Sequence, residues 1–180
     1  MSETKRIVEV VPYTKEWKRL YENAEIELKN VFRTTDVTFH HIGSTSVEGL
    51  SAKPIIDILA EAADINLFDK HSPELEQIGY FGKGENGIPG RRYFHKVKDG
   101  NEAHRLVHLH AFEKGNPEIN RHLIFRDFLR AHPEARNEYS EVKERAAKMY
   151  RESIDDYIEA KTPIIQELEK KALIWSQGSK

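Results

Sequence analysis

Residues 40–60 read HHIGSTSVEGLSAKPIIDILA, and nowhere else does the chain crowd small residues, hydroxyls, a lysine and a carboxylate between two apolar segments. We predict a strand over Val37–Ile42, then a tight turn at residues 43–46 whose backbone N–H groups can face an anion. A short helical turn over residues 46–50 and a second strand over residues 54–62 follow. The even positions of that strand are all apolar, so Asp57 lies on its less apolar face. A carboxylate in mid-strand needs a polar partner.

The composition is that of one globular domain without a strong charge bias. The chain has 180 residues, with 28 lysines and arginines against 30 aspartates and glutamates, and a net charge of −2. Nucleic acid is therefore an unexpected partner. The absence of cysteine excludes disulfides, thiol catalysis and cysteine metal ligands. With neither a signal-peptide segment nor an apolar run approaching roughly 20 residues, we expect one soluble cytoplasmic domain over residues 1–180 and no membrane partner.

The segments around this stretch predict an α/β domain. Strands are expected over residues 7–11, 91–98 and 103–112, with a further strand and loop within residues 79–90. Helices are expected over residues 15–32, with Thr14 as N-cap, and over residues 65–78, 117–131, 133–150 and 154–175, where Pro163 could break the last one. The prediction is a mixed sheet of about five strands over residues 1–115 and a helical part over residues 116–175.

A pair of histidines marks the second strand of a predicted hairpin. Asp99 and Gly100 form the dipeptide most favoured in a tight hairpin turn. A two-residue loop would place Arg91 opposite His108, and a four-residue loop would place it opposite His110, so both registers leave Arg91 on the histidine face. His108 and His110 point to the same side, about 6 to 7 Å apart along the strand. Two imidazoles at that spacing can converge on one ligand.

Three blocks of this sequence resemble a known family. They are HIGSTSVEGLSAKPIIDI at residues 41–58, HLH at residues 108–110, and RHLIFRDFLR at residues 121–130 with Tyr139 and Lys143 behind it. Together they resemble the GrpB family, which looks like a divergent branch of the nucleotidyltransferase superfamily. The resemblance implies a nucleotidyltransferase-like fold. Relatives also occur fused to dephospho-CoA kinase domains, which implies a functional link to coenzyme A metabolism.

The superfamily pattern is a Gly-Ser turn followed by a strand with two acids one residue apart, with a third acid on a neighbouring strand. By this resemblance Gly43 and Ser44 match the phosphate-binding turn and Asp57 matches the first acid. Leu59 stands where the second acid is expected, and Glu61 lies roughly 13 Å further along the strand, too far to share an ion with Asp57. Two-metal phosphoryl transfer therefore lacks one of its carboxylates.

The histidines indicate a different kind of centre. If Asp57, His108 and His110, and His41 with them, surround one ion, the ligand set is rich in imidazole. Such a set favours Zn²⁺, Mn²⁺ or Fe²⁺ over Mg²⁺. A divalent metal is accordingly the expected cofactor.

The expected function is a nucleotide or phosphorylated small-molecule site that is open to catalysis. In this hypothesis phosphate is bound by Gly43, Ser44 and Thr45, the catalytic or metal-binding groups are Asp57, His108 and His110, and anionic oxygens are neutralised by Lys53, Arg91 and Arg126. Two alternatives stay open. Leu59 favours a non-catalytic binding module, whereas the paired histidines favour a single-metal hydrolase.

Each of these residues also has a structural interpretation. His108 and His110 could simply be hydrogen-bonded on the sheet. Arg126, Asp127 and Arg130 could form an ion-pair lattice that fastens a helix to the sheet, because residues four apart share a helix face. Tyr139 and Lys143 are interpreted as structural.

Overall fold

One mixed sheet and a set of helices form the part of the chain described by the computed structural model, residues 5–33 and 35–178. The strands are β1 (Val37–Ile42), β2 (Ile56–Ala62), β3 (Tyr80–Gly82), β4 (Arg92–Lys98) and β5 (Asn101–Glu113). The helices are α1 (Glu16–Val31), α2 (Asn66–Lys70), α3 (Ser72–Gln77), α4 (Pro117–Ala131), α5 (Pro133–Met149) and α6 (Ile154–Gly178). The predicted α/β class with five strands is confirmed.

The sheet has the strand order β1-β2-β5-β4-β3. Strands β2 and β5 are parallel neighbours at its centre, and the other pairs are antiparallel. In the parallel pair Asp57 lies beside His108, and in the β1-β2 pair Ile42 lies beside Asp57. The sheet therefore brings the carboxylate next to both the histidine strand and the end of β1.

The central strands have two unlike faces. The apolar face, defined by Ile58, Ala60 and Leu109 with their neighbours, packs against Leu28 of α1, Phe68 of α2 and Leu75 of α3. The site face carries Asp57, Leu59, His108, His110 and Phe112, as the strand alternation predicts. Leu59 and Phe112 pack with Ile42 and with Ile119 of α4 in a small apolar cluster. The apolar face anchors the sheet, whereas the site face combines this small apolar cluster with the polar groups of Asp57, His108 and His110.

The hairpin register differs from both predicted registers. Asp99 and Gly100 form the two-residue turn, with φ of 51° and 71° and with Lys98 paired to Asn101. Two register shifts, on either side of Val97, then move the strands so that Tyr93 lies opposite His110. Bulges of this kind insert unpaired residues into a strand. When the shifts add up to an even number of residues, the side chains beyond them stay on the same face of the sheet.

The N-terminal segment is not the predicted strand. Val11 forms only an isolated antiparallel bridge with Ala52. Val8 instead donates its N–H to the carbonyl of Arg151 at 2.8 Å and packs on Ala147 and Tyr157 of the helical part. Val8 and Val10 therefore cover helices rather than extend the sheet.

Three local predictions also need correction. The short helical turn is a 3-10 turn at Ser44–Ser46, slightly earlier than predicted. Helical spacing within the predicted helix over residues 133–150 points Met149 inward together with Ala146, but Met149 is exposed. Pro163 lies inside α6 without ending it, and it lies on an exposed face, where water can satisfy the carbonyl that loses its N–H partner. No helix among the described residues is long and apolar enough to cross a bilayer.

Candidate functional site

The Asp57 carboxylate and two histidines form a cluster on the site face. Asp57 Oδ1 lies 3.5 Å from His108 Nδ1 and 3.3 Å from His110 Nε2. One donor atom from each of the three residues lies within 4.8 Å of the others, so their positions could hold a metal ion. The structure thus brings together the three residues that strand alternation predicted to converge.

Arg91 determines which nitrogen of His110 carries a proton. Its guanidinium donates to His110 Nδ1 at 3.2 Å and also to the backbone carbonyls of Glu85 and Asn86, at 3.1 and 2.6 Å. A guanidinium only donates, so Nδ1 accepts and a neutral His110 carries its proton on Nε2. That proton points toward Asp57 Oδ1, 3.3 Å away. In this tautomer His110 is a hydrogen-bond donor to Asp57.

The cluster keeps Asp57 ionised. Burial alone would raise the pKa of Asp57, but hydrogen bonds from His108 and His110 outweigh it and hold this pKa below its usual range. Burial lowers the pKa of His108, against the opposing effect of Asp57. Asp57 is therefore a carboxylate, and His108 a neutral imidazole, at neutral pH.

The Gly43 turn approaches Asp57 closely. Gly43 has a φ of 71°, and a Cβ there would come within 2.6 Å of Asp57 Oδ2. Beyond it, Ser44 Oγ accepts a hydrogen bond from Lys143 Nζ at 2.6 Å, and Thr45 Oγ1 lies 3.0 Å from His41 Nε2. Glycine is required at this position by both the backbone angle and the space.

A small pocket opens between the turn, the site face and the helical part. Its volume is about 210 Å³. Three lysines, Lys53, Lys143 and Lys161, line it together with Asp57, and we call it the lysine pocket. The other lining residues are Ser44, Thr45, Ala52, Ile55, His108 and Tyr157. The structure therefore adds two lysines, from α5 and α6, to the residues predicted from sequence.

The three ammonium groups have no carboxylate at ion-pairing distance within residues 5–33 and 35–178. They are held by aromatic rings instead: Lys53 and Lys161 lie 5.3 and 4.9 Å from the ring centroid of Tyr157, and Lys143 lies 4.5 Å from that of Tyr139. Such cation–π contacts stabilise an ammonium only partly. The pocket thus places three basic side chains beside Asp57, the single carboxylate among its described lining residues, and none of the three forms an ion pair with it.

This crowding is reflected in the lysine pKa values. Burial, and then the charge of Lys161, lowers the pKa of Lys53 to about 8. Burial, with the charges of Lys161 and Lys53, lowers the pKa of Lys143 well below its usual value. An anion in the pocket would relieve the repulsion and favour the protonated form of each lysine.

The sequence interpretation gave Lys143 a structural role and did not single out Lys161, whereas the structure places both lysines in the pocket lining. A signal was nevertheless present in the sequence. Lys143 lies between Tyr139 and Ala146, and Lys161 lies between Tyr157 and Ile164, at the spacing of an inward helix stripe. A lysine on the buried stripe of an amphipathic helix indicates a functional or paired charge.

The predicted arginines lie outside the lysine pocket. Arg91 contacts His110 from the other side of the Asp57 cluster. Arg126 donates to Asp127 Oδ1 at 2.8 Å and to the carbonyl of His41 at 3.2 Å, while Arg130 donates twice to the carbonyl of Ser46, at 3.1 and 2.8 Å. These contacts favour the interpretation that α4 is fastened to β1 and the turn. Of the predicted cations, Lys53 alone lines the pocket.

The chain supplies one acid where a two-metal site needs more. Leu59 is completely buried in an apolar cluster, and Glu61 lies 3.8 Å from His40 on β1 instead. Asp57 is therefore the one carboxylate among the described residues that line the pocket. The donor positions fit a single cation, but its neighbours, Arg91 and three lysines, are all cationic groups.

Comparison with solved structures shows the fold. Cid1 in complex with the UTP analog UMPNPP superposes with a TM-score of 0.54 at 11% identity, over 77% of this chain and 43% of Cid1. At that identity the likeness concerns the fold, which is nucleotidyltransferase-like. A dephospho-CoA kinase of Mycolicibacterium paratuberculosis is 25% identical over 193 residues, which cover 96% of this chain and 47% of that protein.

Nearer relatives cover almost the whole chain. The UPF0157 protein YqkA of Bacillus subtilis (strain 168) is 43% identical over 97% of this chain, which spans half the length of YqkA. The crystal structure of conserved protein GrpB from Enterococcus faecalis is 37% identical and superposes with a TM-score of 0.88, over 94% of this chain and 99% of that one. The family model described as GrpB protein matches residues 7–171. The chain belongs to the GrpB family.

Proposed function

We propose that this protein binds a nucleotide or another phosphorylated small molecule, with a phosphate group in the lysine pocket. The observation that carries the proposal is the set of three lysines without carboxylate partners, gathered from three separate segments of the chain. Unneutralised ammonium groups in a small cavity are suited to phosphate oxygens, with which they form charge-assisted hydrogen bonds. Ser44, Thr45 and Lys53, which sequence analysis assigned to phosphate, line the same cavity.

Two similarities support a nucleotide as the ligand. Cid1, which shares the fold, was solved with a UTP analog. The distant relative named a dephospho-CoA kinase is named for action on a coenzyme A precursor. Nucleotides and coenzyme A precursors are therefore the first compounds to test.

Thermal unfolding with a panel of nucleotides, phosphorylated metabolites and coenzyme A precursors tests this proposal. A ligand at about 100 times its Kd adds about 2.7 kcal/mol to the free energy of unfolding. We expect a rise in Tm for wild type and for Lys148→Met, an exposed lysine on the same helix as Lys143. Lys143→Met should lose the rise. If no phosphorylated compound stabilises the wild type, the proposal is wrong.

Catalysis is a separate question that rests on Asp57. A ligand that binds should next be incubated with the protein, and release of phosphate or pyrophosphate measured. Turnover that Asp57→Asn abolishes while affinity persists would make the protein an enzyme. Binding without turnover under any metal would make it the non-catalytic module that Leu59 favours.

The distances around Asp57 favour one second candidate, a single-metal hydrolase. Donor atoms of Asp57, His108 and His110 are close enough together for one ion, and a mixed imidazole and carboxylate set favours Zn²⁺ or Mn²⁺ over Mg²⁺. Such an ion would supply Lewis acidity for hydrolysis. Isothermal titration with ZnCl₂ and MnCl₂ tests it, and loss of ion binding in His108→Ala is the expected result. Wild-type protein that binds neither ion would remove this candidate.

A further inference from the structure

We infer that the ligand enters as a phosphate monoester dianion, and that Lys53, Lys143 and Lys161 neutralise it without a divalent metal. The inference rests on the proposed function, since it names the ligand class and the counter-charge of the same pocket. It follows from the charges, volume and hydrogen bonds of the lysine pocket.

The charge of the pocket matches a dianion. With all three lysines protonated, as a bound anion favours, the three lysines and the Asp57 carboxylate carry a net charge of +2. A phosphate monoester carries about −1.5 to −2 at pH 7, whereas a diester carries a single negative charge. A monoester therefore balances the pocket, and a diester leaves one ammonium without a counter-charge.

We do not expect a divalent ion to bind together with the ligand. Metal sites for phosphate need carboxylates to offset the charge of the ion, and Asp57 is the one carboxylate that lines the pocket in the described part of the chain. Arg91, only 6% exposed, lies behind His110 and donates to it. In the tautomer that Arg91 favours, His110 Nε2 carries a proton toward Asp57 and offers no lone pair to an ion. In this chain the three lysine ammonium groups supply the positive charge that a metal ion would otherwise provide to the phosphate.

The volume limits what part of the ligand enters. Sites that enclose a whole small molecule have volumes of about 300–1,000 Å³, and the lysine pocket has about 210 Å³. A neighbouring cleft of about 890 Å³ shares Thr45 with it and is lined by Tyr13, Tyr21 and His41 among others. The phosphate group can therefore occupy the pocket while the rest of the molecule lies in the cleft.

Isothermal titration of the full chain tests the inference with three probes: inorganic phosphate, AMP, and 3′,5′-cyclic AMP as the matched monoanionic diester. Each is titrated in EDTA, in MgCl₂ and in ZnCl₂. We expect phosphate and AMP to bind in EDTA and to compete with each other. Neither metal should tighten binding more than about twofold, and the cyclic diester should bind roughly tenfold or more weakly, the loss expected for one charge-assisted hydrogen bond.

Substitutions give a second test, because removing a lysine and removing the Asp57 charge should change the affinity for AMP in opposite directions. Lys143→Met and Lys53→Met should each weaken AMP binding roughly tenfold or more, with Lys148→Met as the unchanged control. Asp57→Asn keeps the shape of the side chain and removes the one carboxylate found among the described residues of the pocket lining, so it should tighten AMP binding several-fold. At a metal site the same substitution would weaken binding. Circular dichroism of each variant separates loss of binding from loss of fold.

The outcomes separate the two levels of the proposal. Binding that requires Mg²⁺ or Zn²⁺, or that Asp57→Asn abolishes in a folded protein, overturns metal-free recognition while phosphate binding stands. Equal affinity for AMP and the cyclic diester overturns the monoester class. If none of the three probes binds with or without metal, the inference fails for all of them, and the wider compound panel decides whether the proposed function fails too.

Discussion

The two faces of the central strands β2 and β5 have different environments and different roles in the molecule. On the apolar face, Ile58 and Leu109 are completely buried against α1, α2 and α3. On the site face, the adjacent residues Asp57 and His108 sit in a hydrogen-bonded cluster beside three lysines without carboxylate partners. The apolar face gains stability from every side chain, whereas the site face holds like charges together, which lowers stability.

This difference shows where function resides in the fold. Strand alternation places successive residues in opposite environments, so one segment can carry both tasks. We therefore expect substitutions on the apolar face to change the free energy of unfolding without touching the pocket. Substitutions on the site face should change binding and stability in opposite directions.

The largest expected effect is on the apolar face. Leu109→Ala should lower the free energy of unfolding by about 2–5 kcal/mol, because it removes a fully buried side chain and leaves a cavity. Chemical denaturation measures it. Leu106→Ala, on the same strand but 39% exposed, is the control and should cost less than about 1 kcal/mol. Equal losses in the two variants would contradict the assignment of the faces.

The Gly43 turn between β1 and β2 should show the next largest change in the free energy of unfolding. Gly43→Ala should lower the free energy of unfolding by about 2–3 kcal/mol, from positive-φ strain and overlap with Asp57. Gly84→Ala separates the two causes, since Gly84 has a φ of 61° and nothing within 4 Å of the added Cβ. That control should lose only about 1–2 kcal/mol. If Gly43→Ala lowered the free energy of unfolding no more than the control does, the Asp57 side chain would have moved away from the added Cβ at no cost.

Removing a charge from the lysine pocket should stabilise the protein. Lys143→Met should raise the free energy of unfolding by about 1 kcal/mol, because it ends the burial of an ammonium beside Lys53 and Lys161. Lys148→Met, which is exposed, should change little. A clear loss of stability in Lys143→Met would restore the structural interpretation of this lysine.

The last expected effect is a dependence of the free energy of unfolding on pH. The pKa of Lys53 is lowered from 10.5 to about 8 in the folded protein, by burial and by Lys161, with Asp57 opposing and Arg6 and Arg105 assisting. Between these pH values the unfolded chain binds more protons, so the free energy of unfolding rises with pH. One such group contributes at most about 1.4 kcal/mol per pH unit.

Unfolding of wild type and Lys53→Met between pH 8 and pH 10.5 measures this contribution. The slope should be smaller in Lys53→Met, because that variant lacks the lysine whose pKa is lowered. Identical slopes would mean that Lys53 titrates alike in the folded and unfolded states.

Alternation alone predicted much of the site. Asp57, His108 and His110 were expected on one face, and the structure places their polar atoms within 4.8 Å of one another. Arg91 was expected beside the histidines under two registers, and it contacts His110 although the actual register is a third one. Which face a side chain takes depends on the parity of its position, which is why this prediction survived an error in register.

The rest depended on tertiary packing that the local pattern does not contain. Whether α5 and α6 present Lys143 and Lys161 to the sheet is determined by how the helices dock. The segment at residues 7–11 has the composition of a strand, but Val8 packs on Tyr157 instead. Local propensity is overridden where a different surface offers burial.

The lysine pocket joins residues that are far apart in the chain, and this has a consequence for folding. Ser44 and Lys143, which share a hydrogen bond, are 99 positions apart, and Asp57 and His110 are 53 apart. Contacts between distant residues form after the loops between them have closed, which is the slow part of folding. We expect the parallel pairing of β2 with β5 to form before α5 and α6 bring their lysines to Ser44. We expect the lysine pocket to be among the last regions to gain protection from hydrogen exchange during refolding.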